Sequence, residues 1–577
     1  MHRVPLKPGE RGLVLLWLLA IAAYATLIRC LHLLDTDHYY IVSPDSYFFH
    51  WQAERALSGQ DLAYSWHAGL TYPLAYTARV ISLVAGMAPP EALTLAGKIL
   101  PPTLGVVSVV LMYLAASRMY NWRVGLGAAF AWSVYADAWF GQVAGYLDRD
   151  GLTVLLLMAG VFLFHFSRRW HLRVMGKDIG WVAGALVVMG IEGLLTLEWV
   201  WVGAVLLLTV LLSYVILEAL FNFLPYLLSV WNGRDGGSQA TRRLLRGAVA
   251  SFSRSNWRPL GLVLGVNVAI GLYYPGLSGI LDTTAYYMGG TVAVAELVPM
   301  TTNDLLRPGL LIVPLLVGLY IGVTRHRKAD LLCLGWFLSL VGLALFSSRI
   351  LLLAAPATCL IAGVGLAWFL DLKSASKSPT VLGRGTQVMA LPSGYVMKVC
   401  GTVLLLAMLL LISPRVARNF LSDRGAADQD WQAALSYMKH ETPEDSVVMS
   451  WWDYGYWILD LGDRRSVVDN GLAGWDEERL DDIGLAYCTA DPAVAAEVMR
   501  RYGAGYLVFS RVEGTLLEIP QRGLDDGRGD DKVTLDDLKE SLYYQSLNGG
   551  FQSGGGLKRV YPAPGEESPG VVILALD

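Results

Sequence analysis

Charge is scarce in this chain. Asp, Glu, Lys and Arg make up 16% of its 577 residues, where soluble domains carry about a quarter. The formal net charge is only −4. A nucleic-acid binder driven by excess positive charge is therefore excluded. Cysteine is scarce as well: Cys30, Cys333, Cys359, Cys400 and Cys488. Four of these lie in apolar runs and Cys488 is left without an evident partner, so no disulfide framework is implied. No CxxC or Cys/His cluster offers a zinc site.

What is abundant is apolar surface. Hydrophobic residues account for 54% of the chain, too many for a disordered polymer and too many to hide without lipid. Up to about residue 414, apolar runs alternate with short loops; after Pro414 the composition becomes that of a soluble domain. The chain therefore reads as a multi-span membrane part, 1–414, and a soluble α/β part, 415–577. The first run, Gly12 to Leu34, is long enough to cross a bilayer, has no small-residue cleavage pattern, and is read as an uncleaved helix. Further runs lie near 103–118, 124–141, 152–167, 179–196, 198–221, 259–279, 308–324, 329–347, 350–371 and 399–414, about eleven spans in all. The stretches 72–89 and 220–230 are ambiguous.

Basic residues fall in every second loop. Arg3, Lys7 and Arg11 precede the first run, and Arg118/Arg123, Arg168 to Lys177, Arg234 to Arg258, Arg325 to Lys328 and Lys373 to Lys398 fall on the same side. By the positive-inside rule this side is the cytoplasm, and an odd number of spans leaves the C-terminal part outside, at the plasma membrane. The outer loops hold Asp45, Asp148, Asp150, Asp282 and Glu296. In the C-terminal part, strands are expected at 446–450, 466–469, 505–510 and 571–575. Helices are expected at 428–439, 492–502 and 536–547.

Two patterns carry chemistry. Asp148-Arg149-Asp150 is a DxD in a short outer loop. If extended, both carboxylates face one way and suit a hard divalent cation. A pair of solvated acids is the bland alternative, but acids held between helices at a membrane surface are costly and often functional. The second pattern is Trp451-Trp452-Asp453-Tyr454-Gly455. Adjacent tryptophans after a strand expose a large apolar area unless something packs on them. Asp453 beside them offers an acceptor suited to selecting a hydroxyl. A buried core corner with a helix cap is the alternative.

The WWDYG pentapeptide resembles the signature of the catalytic subunit of oligosaccharyltransferase, the enzyme of protein N-glycosylation. The layout, a polytopic first half followed by an extracytoplasmic α/β domain, is similar to the single-subunit archaeal and bacterial members. The resemblance implies a GT-C-like fold of about 11 to 13 transmembrane helices, with a further pair between about 152 and 275. It also implies site residues. Asp45, in Pro44-Asp45-Ser46-Tyr47-Phe48-Phe49-His50, matches the first acidic motif. Asp35 and Asp37, nearer the first run, are read as interfacial. Glu296, ending Thr291 to Glu296 behind a Gly289-Gly290 hinge, matches the mobile-loop motif. Arg349 matches an arginine near the lipid-linked phosphate, and snorkelling is its alternative. Lys539, in Asp536-Asp537-Leu538-Lys539, fits half of a DK-like motif beside WWDYG.

The implied reaction moves a glycan from a polyprenyl phosphate or pyrophosphate to the asparagine amide of Asn-x-Ser/Thr acceptors, inverting the anomeric centre. Asp45 and Glu296 would accept the amide N–H bonds. Mg²⁺ or Mn²⁺ would sit on Asp45, Asp148 and Asp150, Arg349 on the phosphate, and Trp451, Trp452, Asp453 and Lys539 on the acceptor peptide. Two rivals remain open, and a third, a surface receptor whose outer domain binds ligand, leaves the outer acids unexplained. Another polyprenyl-phosphate-sugar transferase, such as a protein O-mannosyltransferase, shares outer acids but has no use for WWDYG. A transporter or flippase should show charges at mid-membrane, for which Glu192, Glu198 and Glu218 are the few candidates.

Overall fold

The computed structural model describes residues 8–34, 41, 43–63, 68–167, 173–174, 177–178, 180–199, 202–231, 239–253, 261–265, 300–370, 403, 406–407, 409–417, 427–471, 476–511, 518–524, 539–549, 551, 553–563 and 570–577. The first part is helical: α1 (Pro8–Cys30), α2 (Pro44–Leu57), α3 (Ala68–Ala85), α4 (Pro89–Met119), α5 (Trp122–Val134) and α6 (Arg149–Ser167). A two-residue hairpin, β1 (Arg173–Val174) and β2 (Lys177–Asp178), leads to α7 (Gly180–Trp199), α8 (Val202–Trp231) and α9 (Gln239–Ser253). Then come α10 (Ile312–Arg325), α11 (Lys328–Ala344) and α12 (Leu351–Leu370).

Among the described residues five helical stretches are long and apolar enough to cross a membrane: Glu10–Cys30, Pro89–Met119, Arg149–Ser167, Leu206–Trp231 and Ser348–Leu370. Gly184–Leu195 and Gly309–Arg325 are shorter apolar helices. The protein is thus a multi-pass helical membrane protein. Helix α12 sits at the centre of the bundle, with Leu351 to Ala367 buried. It packs on α5, α10 and α11. Helices α1, α8 and α10 instead turn large apolar side chains outward, Leu16, Leu220 and Tyr320 among them, as lipid-facing helices do.

The structure redraws some sequence-based limits. The run at 103–118 is the second half of α4, whose 31 residues would measure about 46 Å, longer than the ~30 Å hydrocarbon layer. The stretch 72–89 is in helix α3 up to Ala85, and 220–230 belongs to α8. The run 124–141 is helical only to Val134. Tyr135 is extended and a 3-10 turn follows at Ala136–Trp139. Most of 259–279 and much of 399–414 lie outside the described residues.

The C-terminal part contains α13 (Gln429–Glu441), β3 (Val447–Met449), α14 (Gly455–Asp460), β4 (Arg465–Ser466), α15 (Glu477–Cys488) and α16 (Pro492–Arg501). After these come β5 (Tyr506–Ser510), α17 (Glu518–Leu524), β6 (Ser553–Gly554), β7 (Leu557–Tyr561) and β8 (Val571–Leu576). The sheet order is β4-β3-β5-β8-β7-β6. Strands β4, β3 and β5 run parallel, while β8, β7 and β6 join antiparallel. Expected strands at 446–450, 466–469, 505–510 and 571–575 correspond to β3, β4, β5 and β8. The expected helix 536–547 is not continuous. Ser541 is extended and its hydroxyl caps a single turn, Leu542–Tyr544, before a π turn at Gln545–Gly549. Residues 536–538 lie outside the described residues.

One feature positions the site. Helix α2 packs on α3 and α4 and also reaches α14 of the C-terminal part. Its Tyr47, Phe48, Phe49 and Ala53 share one buried apolar cluster with Trp451, Tyr456, Ile458 and Val468 of the C-terminal part. The Phe48 and Tyr456 rings stand 4.7 Å apart, and the His50 ring nitrogen Nδ1 meets Asp460 at 2.9 Å.

Candidate active site

The acidic side of the site is built on buried polar bonds. The loop between α5 and α6 is buried through residues 138–148. A fully buried Arg29, at the end of α1, holds it: its guanidinium donates to the Ala138 carbonyl (3.2 Å) and to Gln142 Oε1 (3.3 Å), and its carbonyl accepts from Ala144 N (2.9 Å). The loop ends at Asp148, where α6 begins. Asp148 Oδ1 accepts from Asp150 N at 2.9 Å, and Oδ2 from the Tyr146 hydroxyl at 3.3 Å. The expected extended DxD is therefore a helix start, with Arg149 and Asp150 already in α6. Gly151 must be a glycine, because a Cβ there would lie 2.1 Å from the Gly141 carbonyl oxygen.

Asp45 is brought to the same place by its neighbour. The Ser46 hydroxyl donates to the Leu147 carbonyl (3.1 Å) and accepts from Leu147 N (2.9 Å). This reciprocal pair locks the first turn of α2 to the residue before Asp148. Two helix N-termini, each bearing acids, thus meet; their dipoles offset part of the carboxylate charge. Arg349 closes the group from the turn before α12, its Nη2 donating to Asp150 Oδ2 at 3.0 Å and its Nε to the same oxygen at 3.3 Å.

The opposite side is aromatic. WWDYG follows β3, and the first residues of α14 continue it. Trp451 is 1% exposed. Its backbone N donates to the Tyr487 hydroxyl (2.9 Å), which in turn donates to the Val508 carbonyl (2.6 Å). Tyr454 and Trp457 pack on Trp431, with ring centroids at 4.3 and 5.3 Å. Trp451 is thus a core residue that supports the motif from beneath, whereas Trp452 and Asp453 are half-buried. The Trp452 indole N–H is buried and has no hydrogen-bond partner among the described residues. Lys539 is exposed; four residues on, Tyr543 stacks on Tyr487 at 6.1 Å. It therefore belongs to the segment beside WWDYG.

Asp148, Asp150 and Arg349 come together at the start of α6, and Asp45 neighbours Ser46, which bonds Leu147 beside them. Glu296, Asp35 and Asp37 lie outside the described residues. Among the described residues no three His, Cys, Asp or Glu side chains form a group that could hold a metal ion as it stands. The donor chemistry nevertheless suits a hard divalent cation: all three acids offer oxygen alone. Asp148 and Asp150 are 4% and 1% exposed, and carboxylates so buried favour an added positive charge.

No family model matches the chain. An archaeal oligosaccharyltransferase, AglB from Archaeoglobus fulgidus, solved in complex with an inhibitory peptide and a dolichol-phosphate, superposes with a TM-score of 0.72. Identity is 15%, and the match covers 96% of this chain and 80% of that one. The chain has the oligosaccharyltransferase fold. A second structure of the Archaeoglobus fulgidus oligosaccharyltransferase, complexed with Zn and sulfate, gives a TM-score of 0.61 at 15% identity over 91% of this chain and 70% of that one. In sequence, the subunit STT3B of the dolichyl-diphosphooligosaccharide–protein glycosyltransferase of rice, Oryza sativa subsp. japonica, is 30% identical over 230 residues. That match covers 34% of this chain and only 31% of the rice protein. The resemblance read from WWDYG is borne out: relatives in sequence and in fold are oligosaccharyltransferases.

Three site residues gave no signal in the sequence reading. Arg29 ends an apolar run and looks interfacial. Asn470 sits in Asp469-Asn470-Gly471, which reads only as a turn. His50 closes the Pro44-to-His50 motif, in which only Asp45 carries a reading.

Proposed function

We propose that this protein is an oligosaccharyltransferase that transfers a glycan from a polyprenyl phosphate or pyrophosphate to the side-chain amide of asparagine in Asn-x-Ser/Thr. The observation that carries the proposal is the double attachment of α2. Through Ser46 it is tied to Leu147 beside the acids, and through Phe48 and His50 to the segment after WWDYG. One helix thus spans an acid cluster and an aromatic acceptor platform, as a two-substrate transferase requires.

The chemistry follows from the side chains. An amide nitrogen is a weak nucleophile, because its lone pair is delocalised into the carbonyl. Asp45 and Glu296 accept its two N–H bonds and weaken that delocalisation. The nitrogen attacks the anomeric carbon and gives up one N–H proton to one of these two carboxylates; the bond to the phosphate oxygen breaks with its electron pair on the phosphate, and the configuration inverts. Arg349 binds the phosphate, shared between that oxyanion and Asp150. Asp45, Asp148 and Asp150 would hold a divalent ion, Mg²⁺ or Mn²⁺, which would supply Lewis-acid neutralisation of the departing phosphate charge. Asp453 accepts the hydroxyl of the residue two after asparagine, and the Trp452 N–H meets a peptide carbonyl. Trp451 holds this platform in shape, and Lys539 borders it. A platform built to pair a hydroxyl rejects peptides that lack one.

In this reading residues 1–414 are the catalytic membrane domain and 415–577 the acceptor-binding domain. The N-terminus is cytoplasmic and the site faces the outside of the plasma membrane. The test is glycosylation of an Asn-x-Thr peptide by purified protein supplied with a membrane lipid extract, with and without EDTA. Glycopeptide that forms without chelator and vanishes with it is the expected result. Glycopeptide unaffected by EDTA removes the metal from the account, and no glycopeptide removes the function.

A further inference from the structure

Asp45 has a partner from the far end of the chain. The side-chain amide of Asn470 donates from Nδ2 to Asp45 Oδ1 at 3.0 Å. The Asn470 Oδ1 atom is buried and has no hydrogen-bond partner among the described residues, so the amide's bonding is committed to the carboxylate. An aspartate in the first turn of a helix ordinarily bends back to that helix's own N–H groups. Here one carboxylate oxygen is drawn across to the C-terminal part.

The position of Asn470 is itself set by WWDYG. Strands β3 and β4 are parallel neighbours, and their C-terminal ends lead to WWDYG and to Asn470 respectively. The ladder continues past β4, with Val467 N donating to the Val448 carbonyl at 2.9 Å. The Ser466 hydroxyl donates to the Val468 carbonyl (2.6 Å), and Asp469 Oδ1 accepts from Gly471 N (2.8 Å), which fixes the turn. Gly455, the last residue of the motif, lies directly under this turn. A Cβ at 455 would stand 2.3 Å from the Val468 carbonyl oxygen and 2.6 Å from Asp469 Cα. The close approach of residues 468–469 to the motif thus depends on that glycine.

We propose that Asn470 is a positioning residue, which orients the Asp45 carboxylate from the strand end adjacent to WWDYG and so couples acceptor binding to the geometry of the reactive acid. This rests on the function proposed above. A half-buried hydrogen bond to a charged group fixes the direction of that carboxylate. Asn470 touches neither substrate in this scheme. Its loss therefore falls on the rate of transfer, not on peptide affinity.

The experiment compares purified full-length wild type, Asn470→Ala, Asn470→Asp and Asp453→Ala. Each is assayed for transfer to an Asn-x-Thr peptide and for binding of the same peptide by fluorescence anisotropy. Both Asn470 variants should lower kcat about thirtyfold, the weight of a hydrogen bond to a charged group. KM, peptide Kd and the thermal midpoint should stay within about twofold or a few degrees. Asn470→Asp should be at least as slow as Asn470→Ala, because it sets a carboxylate against Asp45. Asp453→Ala should show the reverse split, with weakened peptide binding. An Asn470→Ala enzyme with wild-type kcat overturns the inference and leaves the function standing. So does a rise in KM at constant kcat, which would make Asn470 a peptide contact. A wild type that transfers nothing overturns the functional reading.

Discussion

The two sides of the site are built from different materials. The acid side rests on buried polar bonds, from Arg29 to the loop, Ser46 to Leu147, and Asp148 to the start of α6. The WWDYG side rests on an aromatic core, Trp431, Tyr454, Trp457, Tyr487 and Tyr543. Polar construction places charge accurately but leaves excess negative charge in a low dielectric, where substrate and counter-ion can complete it. Aromatic construction gives a rigid frame with large buried area and little electrostatic pull. Damage on the first side should therefore appear in the chemical step, and damage on the second in acceptor binding or stability.

Variants can break that division. The largest effect is expected from Asp148→Asn and Asp45→Ala, each with turnover lower by about a thousandfold; peptide Kd should stay unchanged in Asp148→Asn, and weakened peptide binding there would merge the two sides. Asp453→Ala comes next, raising peptide KM about thirtyfold through loss of a charged hydrogen-bond acceptor. A pure kcat defect there would place Asp453 with the acids. Tyr487→Phe removes the hydroxyl that serves both Trp451 N and the Val508 carbonyl. It should destabilise the protein by about 2 kcal/mol, measured by thermal unfolding, with kcat retained in the folded fraction.

The smallest effect concerns the junction of the two sides. Burial alone would pull the His50 imidazolium down, but the charge and hydrogen bond of Asp460, with Glu54 adding, raise its pKa above the ordinary 6.5. A raised histidine pKa stabilises the fold fully below the unfolded value and loses that stabilisation as pH rises through the folded value. The thermal midpoint of wild type should thus fall as pH climbs above about 6.5, and His50→Gln should flatten that part of the curve. An identical slope in the variant would mean that α2 is held by Phe48 and its apolar neighbours alone.

Legibility in the sequence followed these same materials. WWDYG was visible because paired tryptophans next to an aspartate are rare and costly, and the membrane helices because lipid demands long apolar runs. Asp148 and Asp150 were visible as a DxD, though their helical setting was not: Asp148 caps α6, and capping leaves no mark beyond an acid before an apolar run. Arg29 and Asn470 were invisible for a physical reason. Their partners lie 109 and 425 residues away, and a single polar residue carries no periodicity. The β6–β7 hairpin was hidden by glycine: Gly555 and Gly556, both at positive φ, make the turn yet read as a loop. The helix α15 was missed because Asp476 to Asp482 looks like a solvated acidic stretch, while Leu480, Ile483 and Tyr487 form its buried face.

The central claim is that one helix joins an acid cluster to an acceptor platform that selects an asparagine amide. Mass spectrometry of two peptides, Asn-x-Thr and Gln-x-Thr, after incubation with purified protein and lipid-linked glycan tests it most directly. The account predicts a glycan on the asparagine of the first peptide alone, lost in both Asp45→Ala and Asp453→Ala. Sugar on the threonine hydroxyl of either peptide, or transfer that survives Asp45→Ala, would contradict it.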